Sequence, residues 1–272
     1  MNLVIAKLIM RLAKKRNCNM AVLTEKQIKY GFDYYHKDDA RPKSVVEVSE
    51  YDGEDKLIIN CTQLDEGYSA KDKKRIWLEW CDFLVNNPDA FTELMFCTRM
   101  PQDLFDAVCA QRRLKKLHIK WGVYPDISKL ESLQELEYLH IGSGRSVSSL
   151  EPISRLVNLV ALSIENFQQI DDYAPLANLK HLESLALEGD FAAPKILKVQ
   201  SLEFLRHMKQ LRFFSLLTAK VIDKDYSPVL ELNNLEHLTL KSCKEVKQLY
   251  PQLIKLPKLK YGTVLERPEL YE

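Results

Sequence analysis

Residues 114–119 read Leu-Lys-Lys-Leu-His-Ile, and residues 136–141 repeat the pattern as Leu-Glu-Tyr-Leu-His-Ile. The same hexamer, with apolar residues at its first, fourth and sixth positions, begins again at Leu159, Leu182, Leu211 and Leu235. The hexamers thus begin at residues 114, 136, 159, 182, 211 and 235, and the successive spacings are 22, 23, 23, 29 and 24 residues. Weaker copies begin at Phe91 and Leu259. A fixed period of this length predicts a solenoid, here of about eight coils.

Apolar residues also continue the spacing backward, as at Leu130 and Leu133 before Leu136. Each coil therefore supplies apolar side chains on its strand and on its return path. The ends of a single coil stay apolar, and stacking on neighbouring coils buries them, with each buried leucine worth about 1.5–3 kcal/mol. We expect a lone repeat not to fold.

This spacing resembles the leucine-rich-repeat family, and bacterial internalin-like repeats of 22–24 residues in particular, over residues 91–272. The resemblance implies an α/β solenoid with a curved parallel β-sheet on its concave face and short helices or 3-10 turns on its convex face. The family usually places Asn or Cys at the turn that follows each strand. In this chain the corresponding positions are Gly122, Gly144, Phe167, Asp190, Ala219 and Cys243. Only Cys243 matches the family, so no continuous asparagine ladder is expected.

The period is absent from the N-terminal third. Residues 1–19 contain a basic amphipathic segment, and residues 20–90 predict an α+β capping region. Within it, residues 44–50 and 56–61 are β-rich and flank Asp52-Gly53, which favours a β-hairpin. Residues 71–86 have helical spacing and predict a helix that covers the first coil with core tryptophans. A second helix is expected over 102–111.

Composition and motifs narrow the function. Thirty-nine basic and 38 acidic residues leave a net charge of +1, which disfavours nucleic-acid binding. The six cysteines are scattered, without zinc-ligand spacing or disulfide caps, and no signal-peptide pattern opens the chain, so we expect a cytoplasmic protein. No catalytic, nucleotide-binding or cofactor motif is present, so neither an enzyme nor a cofactor is predicted.

His118 and His140 both occupy the fifth hexamer position, which places them on adjacent strands about 5 Å apart. Two imidazoles at this distance are able to share a metal ion. The next two coils offer Ser163 and Ala186 rather than another ligand, so the sequence favours solvated surface histidines and predicts no metal site.

Strand alternation directs the third, fifth and seventh hexamer residues toward the concave face. Small residues in its centre leave room for a partner, and aromatic residues on its flanks are common interface anchors. The candidate partner-binding residues are Lys116, His118, Lys120, Trp121, Tyr138, His140, Glu165, Glu188, Phe213, Leu217, His237, Lys241 and Tyr261. The long period between Leu182 and Leu211 indicates an insertion at 189–196 that carries Phe191, a further candidate contact.

These features predict an intracellular, non-catalytic module that binds another protein on its concave face. A more specific version is an inhibitor or immunity-type protein that neutralises a toxin or enzyme. The alternative is a peripheral membrane or envelope-associated scaffold, anchored on the membrane surface by the basic N-terminal segment. Part of the concave face could also be covered by the chain's own N-terminal region.

Overall fold

The computed structural model describes residues 22–34, 40–190 and 195–272. Within them, nine strands form one parallel sheet, and the strands lie side by side in chain order. They are β1 (Lys43–Val45), β2 (Lys56–Ile59), β3 (Glu93–Phe96), β5 (Lys116–Ile119), β7 (Tyr138–Ile141), β8 (Ala161–Glu165), β9 (Ser184–Glu188), β11 (Phe213–Leu217) and β13 (His237–Leu240). Sequential order in a parallel sheet requires each connection to return along the other side of the molecule, which produces a solenoid.

The register of the sheet follows the hexamers. Leu117 pairs with Leu139, Leu139 with Leu162, and Leu162 with Leu185. Each of these leucines is fully buried, as are the first-position leucines of the same coils. Equivalent hexamer positions therefore form continuous rows across the strands, and the inward rows build one apolar core.

The sequence period predicts about eight coils, and the last of them is the least regular. Seven of the eight predicted coils contribute a strand to the sheet, from β3 to β13. The eighth joins it through a single parallel bridge between His237 and Tyr261. Gly262, in the middle of that last hexamer, has a φ of 97° and ends the strand pattern.

The predicted hairpin is wrong. β1 and β2 pair in parallel, with Lys43 opposite Leu57 and Val45 opposite Ile59. A ten-residue connection that includes a 3-10 turn at Val48–Glu50 carries the chain back, and Gly53, with a φ of 95°, bends the backbone within it. The Asp-Gly pair thus marks a turn, but the turn serves a coil crossover rather than a hairpin.

The convex side carries the helices of the coils. The first of them is the long helix α1. It begins after Ser69, whose hydroxyl accepts a hydrogen bond from the Asp72 amide. It spans Ala70–Asn86 and confirms the predicted helix. It buries Trp80, whose indole donates to the Val46 carbonyl oxygen at 2.8 Å. The helix was predicted to cover the first coil at the end of the solenoid. Because β1 and β2 precede α1 in the same sheet, α1 instead packs over the core within the solenoid.

The second predicted helix is also present, as α2 at Gln102–Val108. Later coils use short elements on this side: α3 (Glu151–Ser154), α4 (Lys244–Leu253), α5 (Thr263–Glu266), and 3-10 turns at Ser128–Ser132, Ala174–Asn178, Glu203–His207, Ser227–Glu231 and Pro268–Leu270. Two small parallel pairs complete the coils: β4 (Met100–Pro101) with β6 (Gly122–Val123), and β10 (Leu197–Val199) with β12 (Ala219–Val221).

Two predicted binding elements fall outside the described residues: the basic segment at 1–19 and the loop residue Phe191. The insertion itself begins after β9, where Asp190 and Lys195 form an antiparallel bridge. Among the described helices, none has the length and apolar character needed to cross a membrane.

Candidate recognition site on the concave face

The outward residues of the sheet form three rows. The third-position row runs Lys116, Tyr138, Ala161, Ser184, Phe213, His237 and Tyr261; the fifth-position row runs His118, His140, Ser163, Ala186, Ser215 and Thr239. Glu165, Glu188 and Leu217 are aligned in the seventh-position row. The structure therefore brings ten of the thirteen predicted concave residues onto one continuous surface; Lys120, Trp121 and Lys241 follow the ends of their strands.

This surface is not empty, because residues 22–34 lie across it. We call residues 22–34 the N-terminal strap. Its centre is a short helix, Glu25–Tyr30. The Thr24 hydroxyl caps the helix by accepting a hydrogen bond from the Gln27 amide, and the Gln27 side-chain oxygen accepts one from the Thr24 amide. Gly31, with a φ of 90°, ends it and turns the chain toward Asp33.

Three apolar strap residues anchor it: Leu23, Ile28 and Phe32 are 3%, 0% and 5% exposed. They pack against Val160, Ala161, Ala186 and Phe213 of the sheet, with Tyr138 and Tyr261 at the edges of this cluster. Ala161 and Ala186 are the small residues that the sequence placed at the centre of the face. Their small size leaves the space that Ile28 and Phe32 occupy.

Polar contacts fix the two ends of the strap. At its start, Arg212 donates to the Leu23 carbonyl oxygen at 3.3 Å and also pairs with Glu183 and Glu236. Nearby, the Tyr261 hydroxyl donates to Glu25 at 2.8 Å. At its far end, a carboxylate oxygen of Asp33 lies 2.9 Å from Nδ1 of His140.

Because the strap packs over them, His118 and His140 have a more buried environment than the sequence predicted. His118 and His140 stack face to face with ring centroids 4.2 Å apart and ring planes within 9°. His140 is 8% exposed and also contacts the Ser163 hydroxyl at 3.0 Å. The prediction of solvated surface histidines is therefore wrong, because a segment from outside the repeats packs over them.

Burial and charge shift the acid-base behaviour of this cluster. Burial, reinforced by His140, lowers the pKa of His118 to about 3, so its imidazole is neutral. Burial raises the pKa of Asp33, but the hydrogen bond from His140 and the two imidazoles outweigh it and hold that pKa below its ordinary value. Asp33 is thus a carboxylate beside two imidazoles.

Two more carboxyl groups, Glu165 and Glu188, lie close to this cluster. Burial raises the pKa of Glu165, and burial together with the charge of Asp33 raises the pKa of Glu188. Glu188 also accepts a hydrogen bond from Ser215 at 3.3 Å. The centre of the face is therefore electronegative as well as partly buried.

His237 marks the other end of the covered area. Its ring stacks on Phe213 with centroids 4.2 Å apart, and its Nε2 atom contacts the Thr239 hydroxyl at 2.8 Å. Burial lowers the pKa of His237 to about 4, and the ring lies against the backbone of Ile28 and Lys29. This histidine is neutral while the strap is in place.

The predicted site residues thus divide into two groups. His140, Phe213 and His237 are buried, and Lys116, His118, Tyr138 and Tyr261 are half-buried, at or near the strap. Lys120 and Lys241 are exposed, and Trp121, Glu165, Glu188 and Leu217 are half-buried in the remainder of the face. The sequence reasoning missed Leu23, Ile28, Phe32 and Asp33; the capping pattern of Thr24 and Gln27 was the one local signal for the strap helix.

The cysteines do not form a reactive site among the described residues. Cys61, Cys81, Cys97, Cys109 and Cys243 are free thiols. Burial raises the pKa of Cys61 to about 12 and that of Cys81 to about 11, so these thiols stay protonated and unreactive near neutral pH.

No protein-family model matches this chain, and no curated protein sequence matches it. Solved structures do match. A leucine-rich-repeat protein from Leptospira interrogans is 16% identical with a TM-score of 0.50, over 80% of this chain and 51% of its own. An internalin from Listeria monocytogenes is 18% identical with a TM-score of 0.49, over 76% of this chain and 51% of its own.

A second internalin from the same organism, internalin C2, is 16% identical with a TM-score of 0.40, over 67% of this chain and 83% of its own. The chain spans about half the length of the first two structures. At these identities the likeness concerns the fold. Together with the hexamer register and the nine-stranded parallel sheet, it shows that this chain has the leucine-rich-repeat fold.

Proposed function

We propose that this protein is an intracellular, non-catalytic recognition module that binds an amphipathic helix of a protein partner on its concave face, in the place that the strap occupies. The observation that carries this proposal is the seating of the strap, whose helix buries Ile28 and whose flanking residues Leu23 and Phe32 join it in a cluster with Ala161, Ala186 and Phe213. A helix laid in an apolar groove through a few spaced anchors is a recurrent mode of protein recognition.

The strap holds this groove as an intramolecular ligand. Because it is tethered, it competes at a high effective concentration, and a partner binds with its affinity reduced by the fraction of molecules whose groove is closed. The uncovered residues Lys120, Leu217 and Lys241 offer a first contact while the strap is still seated. Tight binding then requires the strap to leave.

An inhibitor or immunity-type role is a finer version of the same proposal. It adds that the partner is an enzyme or toxin and that a 1:1 complex abolishes its activity. The surface arrangement supports recognition in general, and identification of the partner decides this version.

The test compares three full-length variants with the wild type in quantitative capture from native lysate. Ile28→Ala with Phe32→Ala removes the anchors and frees the groove. Ala161→Arg with Ala186→Arg displaces the strap and also fills the groove. Val22→Ala with Tyr34→Ala changes two strap residues that are 67% and 58% exposed, and serves as the control that keeps the strap seated.

We expect one stoichiometric protein to be captured at least tenfold more by the anchor variant than by the wild type, and to be lost with the filled-groove variant. The control should behave as the wild type. The purified partner should then bind the anchor variant 1:1 in calorimetry, and a peptide of residues 22–34 should compete with it. Equal capture by the anchor and filled-groove variants would mean that recognition does not use the groove.

A further inference from the structure

The second feature of the covered face is a group of three potential metal ligands drawn from three separate parts of the chain. Asp33 comes from the strap, His118 from β5 and His140 from β7. Their ligand atoms all lie within 4.8 Å of one another. The repeats alone supply two of the three, and the third is present because the strap crosses the strands at this point.

The ligand types define the class of ion. Two imidazoles and one carboxylate form a set used for Zn²⁺ and other divalent transition metals, with remaining coordination positions taken by water or a further ligand. Mg²⁺ and Ca²⁺ prefer oxygen ligands throughout. The set therefore selects a transition-metal ion.

The nitrogen of one ligand lacks a partner among the described residues. Nδ1 of His118 is buried and makes no hydrogen bond there. Buried polar atoms are paired in the great majority of cases, so an unpaired imidazole nitrogen beside two other ligands needs an explanation. A metal ion would supply the missing partner.

The charge balance of the site points the same way. The charge of Asp33 acts on both Glu165 and Glu188, so three carboxyl groups share this partly buried space. Neutral imidazoles carry no net charge and leave this negative charge uncompensated. A divalent cation would offset it.

The stacked arrangement of the rings has to change on binding. A metal ion lies in the plane of each imidazole, about 2.0–2.1 Å from the nitrogen. Rings stacked 4.2 Å apart within 9° of parallel do not point their nitrogens at one ion. Binding therefore requires the two side chains to rotate toward Asp33, and the strand spacing, which holds the two Cβ atoms about 5 Å apart, permits both nitrogens to approach one ion.

We propose that Asp33, His118 and His140 form a site for a divalent transition-metal ion, with Zn²⁺ as the best fit, and that the bound ion ties the strap to the concave face. This site goes beyond the proposed recognition function and does not depend on it. It links strap release to the metal: the ion has to leave, or lose its Asp33 ligand, before the groove opens.

The test uses purified full-length protein, stripped with a chelator and titrated with Zn²⁺ in calorimetry and with Co²⁺ in absorption spectroscopy. We expect one equivalent to bind the wild type, with a Co²⁺ spectrum of nitrogen and oxygen ligation. His118→Gln and His140→Gln should each weaken Zn²⁺ binding by about 100-fold, and Asp33→Asn by at least tenfold. His181→Gln, at an exposed histidine outside the site, is the matched control and should bind as the wild type.

Hydrogen exchange gives a second readout. Zn²⁺ should slow exchange of the Ile28 and Gly31 amides at least tenfold in the wild type and leave it unchanged in Asp33→Asn. Asp33 lies outside the repeats, so this variant keeps the solenoid intact even if a histidine variant fails to fold. The proposal is overturned if the wild type binds no Zn²⁺ at millimolar concentration, if Asp33→Asn binds as tightly as the wild type, or if a Co²⁺ spectrum shows thiolate ligation.

Discussion

The strap and the repeats share one surface, but different amounts of buried apolar area hold them. Each regular coil places at least three fully buried leucines or isoleucines in a core continuous with its neighbours. The strap contributes Leu23, Ile28 and Phe32 to a separate, smaller cluster. Release of the strap uncovers Ala161, Ala186 and Phe213 on the concave face of the sheet and leaves the core between the coils closed. The solenoid is therefore expected to persist while the strap opens and closes.

The largest effect should come from the repeat core. Leu162→Ala removes a fully buried leucine that pairs with Leu139 and Leu185 on both neighbouring strands. Because the close-packed coils cannot collapse fully around the cavity, we expect a loss of about 3–5 kcal/mol in the free energy of unfolding. Urea denaturation followed by circular dichroism measures it.

Val157→Ala is the control for this change, since Val157 is 51% exposed and should lose less than about 0.5 kcal/mol. A loss below about 1 kcal/mol for Leu162→Ala would contradict the view that the repeats, rather than the strap, hold the stability of the molecule.

Acid should open the strap before it unfolds the coils. The strap covers His237, whose pKa is lowered by burial from 6.5 to about 4. Above pH 6.5 the imidazole is neutral in both states, so the closed state keeps its full stability. As the pH falls below 6.5, the open state takes up a proton that the closed state cannot, at about 1.4 kcal/mol per pH unit. Because His237 stays stacked on Phe213 when the strap leaves, the closed state should lose at most about 3 kcal/mol by pH 4.

His118 acts in the same direction, because burial and His140 lower its pKa to about 3. Nearby carboxylates oppose both shifts: Asp33 opposes the lowering of the His118 pKa, and Glu266 opposes that of His237. Hydrogen exchange of the Ile28 and Gly31 amides from pH 7 to pH 4.5, in chelator and corrected for intrinsic rates, measures the opening. His237→Asn should flatten the profile. Constant protection across this range would show that the strap does not cover the histidine in solution.

The contrast between strap and repeats also explains how far the sequence could be interpreted. The hexamers determine which residues pair across strands and which point outward, so the fold and the concave rows follow from a short-range period. β1 and β2 join the same sheet without a hexamer, and Asp52-Gly53 suggested a hairpin because turn chemistry alone does not distinguish a tight turn from a longer crossover.

The strap could not be located from its sequence. Its helix has six residues and buries one of them, Ile28, so it has no apolar period to indicate a binding surface. Its position depends on contacts between residues more than a hundred positions apart, such as Arg212 with Leu23 and Tyr261 with Glu25. For the same reason the pairing of Asp33 with His140 is a property of the tertiary structure.

A smaller effect should come from one anchor of the strap. Ile28→Ala removes the fully buried side chain at the centre of the strap helix. We expect the free energy of strap opening to fall by about 2 kcal/mol. This value is at the low end for such a substitution because the short segment can shift toward the sheet and fill part of the cavity. Exchange of the Gly31 amide should therefore accelerate about 30-fold, while the urea midpoint of the coils stays unchanged. A fall in that midpoint would mean that strap and solenoid unfold as one unit.

The smallest effect tests the helix itself rather than its contacts with the sheet. Thr24 is exposed, and its hydroxyl caps the strap helix by accepting the Gln27 amide hydrogen at 3.2 Å. Thr24→Ala leaves that amide without its partner and should cost about 1 kcal/mol of strap opening free energy. Thr24→Ser keeps the hydroxyl and is the matched control. If the alanine and serine variants exchange the Gly31 amide at equal rates, the apolar anchors alone hold the segment on the face, and its helical shape adds nothing to its binding.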